Sequence, residues 1–379
     1  MRFAFTEEQE QLRASARGFL AQHSSPEQVR RAMQSELGYD PEVWKRIASD
    51  LGWPAVTIPE EYGGLGLGPV ELVALLEEMG SALLCAPFFS SVCLGGTALL
   101  AAASDEQKRE FLPALAEGRS RIALAWTEAG GGWGATGIRA LARREGDAFV
   151  LRGTKRFVLD GHCADWLIVA ARQEGSSGED GVSLFIVSPD APGLERRALP
   201  TMDQTRRQAE IVLRDVRVPA SALMGTEGRG WSALGRTLDL AAIALSAEQV
   251  GGAQKCLDLS VAYAKERVQF GRPIGSFQAI KHICADMMVA VESARSASYY
   301  AACVAAEGRE DLSAVASLAK ATCSEAYFQC AAESLQIHGG VGFTWEYDVH
   351  LYFKRARSTE VFLGDPAYHR ERVARHIGL

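Results

Sequence analysis

Three regimes of hydrophobic spacing follow one another along the chain. Over the first 118 residues apolar positions recur every three or four residues, the period of a helix with one buried face. The first such helix begins at Thr6-Glu7-Glu8-Gln9, where a hydroxyl and a glutamine three residues later form a capping box. It runs on through Leu12, Ala16, Phe19 and Leu20, and further helices are predicted over 41–51, 69–79, 91–103 and 105–116. From about 121 to 218 the pattern changes to short β-rich runs at 122–126, 148–151, 166–169, 184–187 and 211–213, punctuated by Gly, Asp and Pro. Such runs predict a small antiparallel barrel or sandwich. After Gly225 the helical period returns in three long alanine-rich stretches, whose small side chains allow close packing as an antiparallel bundle. The expected fold is therefore α+β and multidomain: a helical domain over 1–118, a β-barrel domain over 119–225 and a helical bundle over 226–379.

Composition narrows the function more than the fold. With 47% hydrophobic and 23% charged residues in 379, the chain can build a large core. Its net charge of −7, with basic residues spread evenly, gives no footprint for nucleic acid or an anionic membrane. Met1-Arg2-Phe3-Ala4-Phe5 lacks the long apolar run of a signal peptide, and no later run reaches membrane-spanning length, so a cytoplasmic location is expected. Eight cysteines without a C-x-x-C pair read as reduced thiols, and the seven histidines form no metal-binding spacing, so no metal is assigned. Glu60-Glu61-Tyr62-Gly63-Gly64 is followed by no Gly-Lys-Ser/Thr, and reads as a loop between helices rather than a phosphate cradle.

Two stretches carry candidate chemistry. In Leu335-Gln336-Ile337-His338-Gly339-Gly340-Val341-Gly342-Phe343-Thr344 an apolar helical run ends in three glycines within four positions, which lets main chain approach a flat or charged group. Upstream, Arg267-Val268-Gln269-Phe270-Gly271-Arg272-Pro273-Ile274-Gly275-Ser276-Phe277-Gln278 joins two helices and supplies a fixed positive charge, aromatic faces and a terminal amide. The planar fork of arginine suits a pyrophosphate.

Together these stretches resemble the flavin-binding C-terminal region of the acyl-CoA dehydrogenase family, and the resemblance extends over essentially the whole chain. It implies FAD as cofactor and an acyl-CoA substrate. It also implies that Arg267, Phe270, Phe277, Gln278, Gln336, Ile337, His338, Gly339 and Gly340 hold the adenosine and pyrophosphate half of a flavin whose ring lies in a neighbouring subunit, with Thr127 as a weaker contact in the middle domain.

Other positions depart from the family. Its Thr-Glu-Pro-x-x-Gly-Ser-Asp loop reads here Thr127-Glu128-Ala129-Gly130-Gly131-Gly132-Trp133-Gly134. Its Gly-x-Lys-x-x-Ile-Thr-Asn-Gly turn reads Gly153-Thr154-Lys155-Arg156-Phe157-Val158-Leu159-Asp160-Gly161, so Leu159 replaces a hydroxyl. Dehydrogenation needs a carboxylate beside the substrate Cα. Gapless extension from Gly339-Gly340 puts Leu363 at the usual base position, and counting back from Arg267 puts Ala241 at the alternative one. Glu360 and Asp365 are the candidates for a displaced base, and Glu248 reads as a partner of a neighbouring polar group or as surface.

The losses thus fall on the chain's own ring and substrate site, while residues serving a neighbour's adenosine end are kept. That asymmetry resembles the base-lacking subunit of heteromeric actinobacterial enzymes of steroid and acyl-chain catabolism. The expected protein is a subunit of an FAD-dependent acyl-CoA dehydrogenase, partnered with a second, base-bearing chain in an α₂β₂ tetramer. The alternatives are a homotetramer with a displaced base and a catalytically silent flavin- or acyl-CoA-binding protein.

Overall fold

The computed structural model describes residues 5–130 and 132–379; residues 1–4, where the leader reading rests, and Gly131 of the glycine-rich loop lie outside the described residues. Six α-helices come first: α1 (Glu7–His23), α2 (Pro26–Gln34), α3 (Pro41–Ser49), α4 (Pro69–Ser81), α5 (Thr97–Ala102) and α6 (Asp105–Ala116). Eight strands follow: β1 (Ile122–Ala125), β2 (Leu141–Glu145), β3 (Ala148–Leu159), β4 (Trp166–Arg172), β5 (Val182–Val187), β6 (Leu194–Leu199), β7 (Gln208–Pro219) and β8 (Leu223–Met224). The C-terminal part holds α7 (Trp231–Glu266), a hairpin of β9 (Val268–Gln269) and β10 (Arg272–Pro273), α8 (Gln278–Glu307), α9 (Leu312–His338), α10 (Val349–Val361) and α11 (Pro366–His376). The helical, β and helical regimes of the sequence are all present.

By compactness the chain forms two units: the chain up to Arg31 with Gly68–Leu84 and Ala242–Leu379, and Ala32–Leu67 with Cys85–Ala241. Grouping by packing thus differs from grouping by chain order, because α1 and α4 belong with the bundle.

In the first unit α9 is the central helix, buried along its length and packed by α8, α10 and α11. Glycines let α4 and α7 touch backbone to backbone. A Cβ on Gly80 would fall 2.0 Å from the carbonyl oxygen of Glu248, and one on Gly251 would fall 1.8 Å from that of Glu77. Ion pairs tie α1 to α4: Arg17 donates to both Glu78 oxygens at 3.0 and 2.8 Å, and Arg13 reaches Glu77 at 3.2 Å. The capping box is formed, with Thr6 Oγ accepting from Gln9 N–H and Gln9 Oε1 accepting from Thr6 N–H.

In the second unit the strands run in the order β6-β7-β3-β2-β4-β5-β8, with β1 also paired to β4. Most neighbours are antiparallel, as expected, but β1 and β2 both run parallel to β4, meeting it at different points along its length. Its core is built from alternate residues such as Phe149, Leu151, Leu167, Val169, Phe185, Ile211 and Leu213. Strands β2 and β6 escape the hydrophobic pattern because Leu-Ala-Arg-Arg-Glu and Leu-Glu-Arg-Arg-Ala-Leu bury only one residue each and are held by ladder bonds to β3 and β7. The predicted helix over 91–103 is in two parts, a π-helical Phe89–Gly96 and then α5; at Gly95 a Cβ would fall 2.7 Å from Ile122, so the wide turn lies directly on β1. The 60–64 glycine stretch is a loop, folded so tightly that a Cβ on Gly64 would overlap the Ile58 carbonyl.

Candidate functional site

The end of α7 sets up the arginine segment. Arg267 N–H donates to the Tyr263 carbonyl and its own carbonyl accepts from Ile274 N–H, both at 2.8 Å, which closes the base of the β9–β10 hairpin. Phe270 and Gly271 form its two-residue turn with φ of 55° and 77°, the doubly left-handed geometry of a type I′ turn. Glycine takes the second position without strain; Phe270 is forced, and its ring is 93% exposed. Phe277 is half-buried, with the Arg272 guanidinium carbon 4.2 Å from its ring centroid and Phe270 edge-on at 6.1 Å. Arg267 and Gln278 are exposed, the latter as the first residue of α8.

The glycine segment lies at the end of α9. Gly339 has φ 61°, and Gly339 and Gly340 are exposed, with open space where a Cβ would stand. Gln336 is also exposed. Ile337 and His338 face inward, so these two candidates offer a ligand main chain rather than side chains. The His338 imidazole is held by an Nδ1–H donating to the Ser334 carbonyl at 2.7 Å, and burial pushes its pKa below the usual range. It stacks on Tyr263 with ring centroids 4.2 Å apart. Residues 69 positions apart in the chain (267 and 336) thus belong to segments that meet through one aromatic stack, a link that no sequence pattern marked.

An exposed guanidinium, two exposed terminal amides, bare glycine backbone and a projecting aromatic ring match what a pyrophosphate and an adenosine require. Among the described residues no cluster of His, Cys, Asp and Glu is placed to hold a metal, and no helix is long and apolar enough to cross a membrane.

In the β-rich unit the Thr127 loop is built around a buried cation. Lys155, with no exposed surface, donates to Glu128 at 2.5 Å and to the Trp126 carbonyl at 3.3 Å. The same Glu128 oxygen accepts from the main-chain N–H of Arg139 and Ala140, both at 2.9 Å. Burial pushes the Lys155 pKa down to about 8, opposed by Glu128. Thr127 Oγ–H donates to the Arg156 carbonyl, so its proton is committed and an oxygen lone pair remains for a ligand. The β3–β7 register shifts between Lys155 and Val158, and Phe157 sits in that bulge at φ 60° with 44% of its surface exposed. Leu159 is buried and Trp133 half-buried.

Family models cover the chain in three consecutive pieces: acyl-CoA dehydrogenase, N-terminal domain over residues 6–119, middle domain over 123–216 and C-terminal domain over 228–378. The chain belongs to the acyl-CoA dehydrogenase family. Acyl-CoA dehydrogenase IpdE2 of Mycolicibacterium smegmatis is 36% identical over 95% of this chain and 96% of its own length. Among solved structures, butyryl-CoA dehydrogenase from Megasphaera elsdenii is 30% identical with a TM-score of 0.92, covering both chains in full. A chain of the ChsE4-ChsE5 complex from Mycobacterium tuberculosis is 29% identical with a TM-score of 0.90, over 100% of this chain and 99% of that one. Acyl-CoA dehydrogenases are FAD-dependent oxidoreductases acting on acyl-CoA thioesters, and this chain is one of them by sequence and fold.

Against that family, the turn after α10 is the notable feature. Leu363 is 5% exposed and has φ 64°, unusual for a branched side chain. The turn is pinned from below: Lys320 Nζ donates to the carbonyls of Glu360 at 3.1 Å and Gly364 at 3.0 Å and to Ser324 Oγ at 2.8 Å, while His369 Nε2–H donates to the Leu363 carbonyl at 3.1 Å. Sequence reading missed Lys320 and His369. The available signal was a lysine four residues from a serine in an otherwise alanine-rich core helix.

Neither displaced-base candidate is idle. Glu360 accepts from Arg357, and Asp365 caps α11 by accepting from Tyr368 N–H at 2.8 Å. Glu248 is a partner rather than surface, taking a 2.6 Å hydrogen bond from the buried Arg355. Ala241 is fully buried in α7.

Proposed function

We propose that this chain is the base-lacking subunit of a heteromeric acyl-CoA dehydrogenase, holding the pyrophosphate and adenosine half of FAD through Arg267, Gln278 and the 336–340 segment while a second, base-bearing chain supplies proton abstraction in an α₂β₂ assembly. When bound, FAD supplies the hydride acceptor for the substrate Cβ. The observation that carries the reading is the buried Leu363 on a turn pinned by Lys320 and His369, with Glu360 and Asp365 engaged elsewhere. An alkyl side chain accepts no proton, and loss of a placed general base lowers turnover by roughly 10²- to 10⁴-fold. The exposed donors of the β9–β10 hairpin and of Gly339-Gly340 support a continuing role in cofactor binding. The ChsE4-ChsE5 complex supports a partner that is itself an acyl-CoA dehydrogenase chain.

The test is anaerobic reduction of the purified chain, reconstituted with FAD, by straight-chain, branched and ring-bearing acyl-CoAs, beside the same chain co-expressed with a homologous base-bearing chain. Bleaching only in the co-expressed assembly is expected. Rapid bleaching by the single chain, abolished by Glu360→Gln or Asp365→Asn, would replace this reading with a homotetramer carrying a displaced base. Flavin or acyl-CoA binding with no bleaching in either preparation would favour a silent binding protein.

A further inference from the structure

We infer that Tyr263 and His338 form a positioning pair that sets the spacing between the two flavin-binding segments; this rests on the reading of Arg267 and Gly339-Gly340 as the pyrophosphate site. Tyr263 lies one helical turn before Arg267, and its carbonyl receives the Arg267 main-chain N–H at 2.8 Å. His338 immediately precedes Gly339. The two rings stack with centroids 4.2 Å apart and planes at 23°, so the last turn of α7 and the last turn of α9 are joined where each passes into its ligand-facing segment. Tyr347 closes a third side, edge-on to Tyr263 at 6.0 Å and to His338 at 5.8 Å. The imidazole cannot swing away freely, because its Nδ1–H is bonded to the Ser334 carbonyl one turn earlier on α9.

Neither ring needs to touch a ligand for the pair to act. A pyrophosphate held between a guanidinium on one segment and backbone N–H groups on the other is sensitive to their separation, since charge-assisted bonds weaken steeply away from 2.7–2.9 Å. The stack removes the freedom of the hairpin to move relative to the glycines before binding, which is preorganisation rather than contact. Arg267 itself is exposed, so its own side chain does not fix its position, and the stack adds to the main-chain bonds at its base.

The experiment measures ADP and FAD affinity by calorimetry for the assembly co-expressed with a homologous base-bearing chain, carrying this chain unaltered or as Tyr263→Leu, Tyr263→Phe, His338→Phe, Arg267→Ala or the Tyr263→Leu/Arg267→Ala double variant, with thermal melts of each. Tyr263→Leu is expected to weaken ADP about tenfold, and Tyr263→Phe and His338→Phe, which keep two stacked rings, to stay within about twofold. Because Tyr263 acts through Arg267, the double variant should bind no more than about twofold worse than Arg267→Ala alone, whereas independent contributions would multiply. Wild-type affinity in a folded Tyr263→Leu assembly, or multiplicative losses in the double variant, overturns the inference while leaving the Arg267 site standing. Unchanged binding in the Arg267→Ala assembly, or no ADP and FAD binding by the unaltered assembly, removes the flavin reading itself and this inference with it. Should Tyr263→Leu melt far below the unaltered assembly, the two ring-retaining variants decide alone, and a tenfold loss in either overturns the pairing.

Discussion

Lys320 Nζ, fully buried in α9, donates to the carbonyl of Gly364 at 3.0 Å and thereby fixes the turn on which Leu363 sits. All three N–H bonds of an ammonium are used, two on main-chain carbonyls and one on Ser324 Oγ. Burial pushes the Lys320 pKa down to about 7 with no carboxylate directly bonded to it. Lys320→Met leaves two carbonyls without a donor while relieving the burial of a charge. The expected net loss is about 2 kcal/mol of stability by urea unfolding at pH 7. A variant as stable as the parent would show that the turn does not depend on the cation.

Two buried histidines make the fold sensitive to acid. Burial holds His369 down to about 3 and His350 down to about 4, with nearby Lys and Arg charges adding to both. Unfolded, each takes up its proton near 6.5. Their contribution to stability is therefore intact above pH 6.5 and is lost as pH falls toward 4 and then 3. By pH 4.5 each is expected to have removed about 2 to 3 kcal/mol. His350→Phe, which keeps an edge-on ring for Trp345, should show a visibly smaller decline of urea midpoint between pH 6.5 and 4.5.

Asp365 and Glu360 separate the heteromer reading from a displaced base. Asp365→Ala removes the N-cap of α11 and should cost about 1 kcal/mol of stability. Neither it nor Glu360→Gln should lower the turnover of the assembled enzyme by more than about twofold, against the loss of roughly 10²-fold or more that follows removal of a base. Steady-state rates of the co-purified assembly decide between these outcomes.

On the proposed reading, Arg267 and Gly340 are expected to report on the cofactor without disturbing the fold. Arg267→Ala removes an exposed side chain but keeps both main-chain bonds, so its melting temperature should stay near the parent's while FAD affinity falls about tenfold. Gly340→Ala adds a methyl group into open space at a position without a positive φ. Unchanged stability with weakened FAD binding is expected, and fluorescence titration beside calorimetric melts measures both.

Much of this chain was legible before folding. The period of its apolar residues determined the order of helical and β-rich regions and the apolar elements within them, because each such element must bury one face, and local chemistry such as the Thr6–Gln9 capping box acts within four residues. The residue types of the Arg267 and Gly339 segments alone marked them as candidate contacts for a flat or charged group, through charge, aromatic faces and bare backbone; that this group is a flavin came from the resemblance to the acyl-CoA dehydrogenase family. The absence of a carboxylate at 363 and 241 is likewise a fact of sequence. Tertiary structure decided the rest, since it depends on residues far apart in the chain. Only packing places α1 and α4 with the bundle, turns the charge-rich β2 and β6 into strands by pairing them with β3 and β7, and engages Glu360 and Asp365 with Arg357 and the α11 N-terminus. Only packing stacks Tyr263 on His338 and sets Lys320 beneath Gly364, because ring contacts and buried hydrogen bonds follow distances in space that sequence separation does not encode.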